Sequence, residues 1–91
     1  MSDENFQLAN DPAGMEHVAK VQAELSGKAY RASIEMHSGR TYSGIVSGTY
    51  FGERSGSKLP RSVGGYILID VNGARLRLDA LDIESWSATP V

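Results

Sequence analysis

Residues 66–78 read YILIDVNGARLRL, and this stretch decides the fold. Dense apolar residues before Asn72-Gly73 and alternating leucine and arginine after it predict two antiparallel strands joined by a two-residue turn. Alternation turns the leucines inward and leaves Arg75 and Arg77 outside. The hairpin therefore marks a β-rich domain with one buried and one exposed sheet face.

The segment before this hairpin predicts two further strands and a loop. Residues 29–37 alternate apolar and polar side chains, which is typical of a half-buried strand. A tight turn leads to a second strand over residues 40–50, and its glycines allow a sharp bend. Residues 51–65 lack the alternation and are rich in glycine, so the sequence predicts a long exposed loop.

An amphipathic helix is predicted upstream of the strands. Asp11 can cap its first turn, Pro12 suits the first helical position, and Gly27 supplies the stop. Residues 1–10 are polar and lack periodicity, which predicts a disordered tail. Residues 11–91 then form a single, mainly β domain in which the helix precedes a strongly bent, five-stranded barrel. A short 3₁₀ turn is expected between the last two strands.

Composition excludes several classes of function. The chain has 91 residues, no cysteine and a formal net charge of −2, so a disulfide framework, a thiolate metal site and a catalytic thiol are all excluded. His17 and His37 are expected on the surface, and no metal site, cofactor or catalytic constellation is predicted. The polar, acidic start and the absence of a long apolar run predict no membrane segment and a cytoplasmic location.

A family resemblance enters at the second predicted strand. Residues 38–48 read SGRTYSGIVSG, which resembles the first motif of Sm-like proteins, and the order of one helix and five strands is similar to that family. The resemblance implies an SH3-like or Sm-like barrel that can form homo-oligomers through its edge strands. Residues 49–53 read TYFGE, where the family carries an Asp and an Asn that contact RNA. No RNA-contacting residue is therefore carried over.

The predicted loop and its flanks form the candidate site. Aromatic rings beside cations are typical of single-stranded nucleic-acid binding, because bases stack on rings at ~1–3 kcal/mol each while Lys and Arg pair with phosphates. The alternative is a solvated loop with its aromatic residues turned into the core. The residues concerned are Tyr50, Phe51, Arg54, Lys58, Arg61 and Tyr66, with Arg75, Arg77 and Trp86 as secondary candidates. Trp86 either fills the barrel mouth or anchors a partner.

Two functions of different class follow from these patterns. The first is a non-catalytic accessory protein that binds RNA or single-stranded DNA through loop 51–65, favoured by a mildly basic body behind an acidic amino-terminal third. The second is a protein-interaction adaptor, or a small subunit of a larger complex, that takes a peptide or strand at the barrel edge. Asp79, Asp82 and Glu84 are interpreted as a solvated turn, since their spacing fits no calcium loop.

Overall fold

The computed structural model describes residues 6–56 and 59–91, with the backbone alone at 55–56 and 59–60. Within these residues one helix precedes five strands, as the sequence predicts. In chain order the elements are α1 (Pro12–Leu25), β1 (Tyr30–Met36), β2 (Thr41–Gly56), β3 (Leu59–Val71), β4 (Ala74–Asp79), the 3₁₀ helix η1 (Ala80–Asp82) and β5 (Ile83–Pro90). The fold is mainly β.

Local sequence signals set the start of α1 and the turn between β3 and β4. The Asp11 carboxylate accepts a hydrogen bond from the Gly14 amide at 3.0 Å, and Pro12 occupies the first turn. Asn72 and Gly73 have positive φ angles of 51° and 85°, which a two-residue hairpin turn requires. Both predictions are confirmed.

The sheet is antiparallel with strand order β4-β3-β2-β1-β5, and it is not closed into a barrel. β5 pairs along the whole of β1, from Tyr30↔Pro90 to Met36↔Ile83, while β4 pairs with β3 alone. Closure would need β4 and β5 to pair through backbone hydrogen bonds, and no such pairing is present among the described residues. The predicted closed barrel is therefore replaced by a bent open sheet, whose two edge strands are joined by the three residues of η1.

The prediction of a long loop over residues 51–65 is wrong. β2 and β3 continue past the end of β1 as a paired hairpin, with Phe51↔Gly65, Glu53↔Val63 and Gly56↔Leu59 in register. We call this extension, residues 47–56 and 59–66, the arm. Cross-strand hydrogen bonds hold the arm together, although glycines and polar side chains hide its alternation in the sequence.

The predicted disordered tail is also wrong over its last residues. Ala9 is buried and exchanges two backbone hydrogen bonds with Val63, at 2.8 and 2.9 Å. β4 stops pairing with β3 at Tyr66, which leaves the β3 edge at Val63 open to Ala9. We call residues 6–9 the strap. The remainder of the predicted tail, residues 1–5, lies outside the described residues.

The hydrophobic core lies between α1 and the inner face of the sheet. Val18, Val21 and Leu25 of α1 are buried against the strands, with Ile67 and Ile69 of β3 at the centre. Each fully buried side chain of this size contributes about 1.5–3 kcal/mol. The helix therefore covers the inner face of the sheet. The helix leaves the outer face of the sheet uncovered.

A candidate binding face on the outer side of the sheet

Alternation of side chains along the arm divides the predicted site between two faces. Tyr50 and Tyr66 are direct cross-strand partners on the outer face, and Arg54 follows on the same face. Phe51 lies on the inner face, where it packs against the core. The predicted residues therefore do not form one surface, and only the outer set remains together.

An aromatic and cationic stack occupies the outer face where the arm begins. The Tyr50 and Tyr66 rings are stacked, with centroids 5.7 Å apart and planes at 26°. The Arg77 guanidinium lies 4.2 Å from the centroid of the Tyr66 ring, because Arg77 on β4 is a diagonal cross-strand neighbour of Tyr66 on β3. We call Tyr50, Tyr66 and Arg77 the ladder. Ring pairs and cation–π contacts of this geometry contribute about 0.5–1.5 kcal/mol each.

The strap adds a third ring that the sequence reasoning missed. Phe6 lies 5.6 Å from Tyr50 and 6.2 Å from Tyr66, measured between centroids. It sits over the glycine pair of the arm: a β-carbon at Gly64 would lie 2.9 Å from Phe6 Cδ2, and one at Gly52 would lie 3.7 Å from Phe6 Cζ. The sequence carries one signal for this ring. Gly52 and Gly64 lie two positions from Tyr50 and Tyr66, and glycines without side chains leave room for a flat ring beside the tyrosines.

A hollow of 180 Å³ remains beside the Phe6 ring, and its other lining residues are Leu8, Tyr50, Gly52, Glu53 and Arg54. Arg54 is exposed, and none of the carboxylates of the described residues lies within salt-bridge distance of it. An arginine with no ion pair among the described residues thus lines a hollow that also contains two aromatic rings, while the Glu53 carboxylate at the same hollow is paired with Arg61. The hollow suits a flat ligand that brings a negative charge to Arg54.

The other basic residues of the predicted loop do not join this hollow. Arg61 donates to the Glu53 carboxylate at 2.6 Å, and it lines a separate depression on the inner side of the arm with Val18 and Gln22 of α1. Both partners of this ion pair are more than half exposed. Lys58 lies outside the described residues.

The secondary candidates are spread over the molecule. Arg75 is bonded to Asp70 at 3.1 Å, whereas Arg77 belongs to the ladder. Trp86 is half-buried against the core and donates its indole N–H to Glu24 of α1 at 3.0 Å. The Trp86 side chain thus points towards the core, as in the first of its two interpretations, and not outward as a partner anchor would.

The acidic residues near the carboxyl end serve as hydrogen-bond acceptors. Asp79 caps η1 by accepting from the Leu81 amide at 3.0 Å and also accepts from the Gln7 amide at 2.8 Å. Asp82 accepts from the Gln7 side chain at 2.7 Å, and Glu84 lies 3.5 Å from His37. Within residues 6–56 and 59–91, no group of three or more His, Asp or Glu side chains is arranged to hold a metal ion.

The remainder of the outer face, over β5, β1 and β2, carries small hydroxyl side chains. Ser33 lies opposite Ser43 on one side and Ser87 on the other, and the Ser33 and Ser43 oxygens are 3.4 Å apart. Arg31 and Thr89 complete a shallow groove of 480 Å³. We call this region the hydroxyl half, and the region of the ladder the aromatic half.

No protein-family model, curated protein or solved structure matches this chain. In the part of the chain that the structure describes, the helix is too short to cross a bilayer.

Proposed function

We propose that this chain is a non-catalytic module that binds single-stranded nucleic acid, RNA or DNA, on the aromatic half of the outer face. The observation that carries the proposal is the ladder with Arg54 beside it on the same face of the arm. Aromatic rings next to guanidinium groups are what unpaired bases and their phosphates require.

The charges support a weak, local interaction. The whole chain has a formal net charge of −2, so long-range attraction to a polyanion is absent and contact must come from the few arginines of this face. Contacts to two or three phosphates predict that the logarithm of the binding constant falls with the logarithm of the salt concentration with a slope of about −1.4 to −2.1, at ~0.7 per phosphate of a single strand. Stacking then contributes the larger share of the affinity.

The test is fluorescence anisotropy with short labelled single-stranded RNA, single-stranded DNA and duplex DNA over a series of salt concentrations. Arg54→Gln is expected to weaken single-strand binding about fivefold, since one charged contact contributes about 1 kcal/mol. Arg61→Gln is the matched control, because it lies on the same arm but on the inner side, and its affinity should stay within about twofold of the wild type. Absence of binding to all three probes at low salt would overturn the proposal.

A kinship with Sm-like barrels is part of the same proposal. It is supported by the order of one helix and five strands, by η1 between β4 and β5, and by the shift of register between Val46 and Gly48 in the second strand. The open sheet is the feature that differs from a closed barrel.

A second candidate function is protein interaction at the sheet edges, in which a partner strand or a second copy adds to β4 or β5. The open edges of both strands favour it, since an unpaired strand edge presents backbone donors and acceptors to another chain. If the nucleic-acid probes fail, these edges are the next surface to examine.

A further inference from the structure

The strap occupies the ring surface on which a base would have to stack. The Tyr66 ring has Arg77 4.2 Å from its centroid and Tyr50 stacked 5.7 Å away. The ring surface that remains lies around Tyr50, above Gly52 and Gly64, and Phe6 fills that space.

Phe6 is comparable to a base in that it carries a flat aromatic ring of similar size. It presents a flat apolar ring 5.6 Å from Tyr50 and tilted by 57° to it, within the range of centroid distances at which aromatic rings attract one another. The floor beneath it is glycine backbone, which accepts any flat ring, and Arg54 stands at the side of the hollow. A pyrimidine ring in this place would keep the aromatic contact and bring its phosphate towards Arg54.

Hydrogen bonds of Gln7 and Ala9 attach the strap to the rest of the fold. These hydrogen bonds run from Gln7 to the two carboxylates Asp79 and Asp82, and from Ala9 to Val63. The bonds of Gln7 are solvent-exposed, and net contributions of such bonds are about 0.5–1.5 kcal/mol each. Ala9 is the one strap residue that is buried.

We propose that the strap is an internal competitor, in which Phe6 occupies the base-stacking site of the aromatic half until single-stranded nucleic acid displaces it. This inference rests on the proposed function. The measured affinity is then the intrinsic affinity reduced by the fraction of molecules whose strap is open. Loss of the Phe6 ring should raise the measured affinity, although it removes an aromatic residue.

The experiment measures the anisotropy of a labelled single-stranded RNA of about ten nucleotides, a length within the range that small β-domains cover, with four proteins: wild type, Phe6→Ala, Phe6→Tyr and Gln7→Ala. Phe6→Ala is expected to bind about three- to tenfold more tightly, corresponding to a strap that is closed in most molecules. Phe6→Tyr keeps the ring and should match the wild type within about twofold. Gln7→Ala keeps the ring but loses the bond to Asp82, and should give an intermediate gain.

The outcomes separate this inference from the function on which it rests. If the wild type binds and Phe6→Ala binds equally or more weakly, the competitor role is overturned while the nucleic-acid function stands. If neither protein binds at low salt, the proposed function falls and the competitor role falls with it. Gln7→Ala provides a variant that retains every apolar side chain, so a folding defect in Phe6→Ala leaves the question decidable.

Discussion

The aromatic half and the hydroxyl half of the outer face share one sheet and differ in their side chains and in their neighbouring strands. Ser33 and Ser43 are direct cross-strand partners on one half, as Tyr50 and Tyr66 are on the other. Only the tyrosine pair carries a stacked cation and a covering strap. The serine pair has β5 on its other side through Ser87, whereas the tyrosine pair lies beyond the end of β1. Ring area and the local glycine pair further distinguish the proposed binding face from the hydroxyl half.

Of the substitutions that test this comparison, Tyr66→Ala should lower the free energy of unfolding most. The substitution removes the ring held between Tyr50 and Arg77, with an expected loss of about 2 kcal/mol in the free energy of unfolding from the ring pair, the cation–π contact and partial burial. Urea denaturation measures it. A loss below about 0.5 kcal/mol would show that the stack is an accidental contact.

Gly64→Ala should have an intermediate effect, because it expels the strap. A β-carbon there would overlap the Gln7 carbonyl oxygen and lie 2.9 Å from Phe6 Cδ2, so we expect a loss of about 1–2 kcal/mol in unfolding free energy. The variant should also bind single-stranded RNA more tightly than the wild type.

Gly48→Ala is the control for this variant. It lies on the same arm, and its β-carbon would meet Leu68 at an ordinary 3.4 Å. Equal stability losses in the two alanine variants would indicate a general glycine effect and not a steric clash with the strap.

Ser33→Ala should have the smallest effect. Its hydroxyl is exposed and its contact with Ser43 is 3.4 Å long, so the free energy of unfolding should change by less than about 0.5 kcal/mol. RNA affinity should not change. A clear loss of affinity would move the binding face from the aromatic half to the hydroxyl half.

The sequence predicted those parts of the fold whose signals are local. The turn at Asn72-Gly73 and the cap at Asp11 follow from residues within a few positions of one another. The arm was missed because Gly52, Gly64 and Gly65 interrupt its alternation. The strap was missed because Ala9 finds its partner, Val63, far along the chain.

The candidate site was predicted in residue type more than in arrangement. Tyr50 and Tyr66 are cross-strand partners, and Arg54 lies on the same face of the arm. Phe51 and Arg61 lie on the inner side of the arm, because side chains alternate between the two faces of a strand. A loop has no such alternation, so the predicted loop gave no means of separating them from Tyr50 and Arg54. That Phe51 lies on the face opposite to Tyr50 could be inferred only once residues 51–56 were known to be a strand.

Two glycines give the fold a signature that does not depend on its function. A β-carbon at Gly44 would overlap the Asp70 carbonyl oxygen and lie 2.9 Å from the carbonyl carbon, and one at Gly65 would overlap the Tyr50 carbonyl oxygen and lie 3.0 Å from Phe51 Cα. These neighbours are backbone atoms, which have no rotamer by which to move aside. We therefore expect any sequence that adopts this backbone to keep glycine at both positions, even where every ring and charge of the outer face has been exchanged.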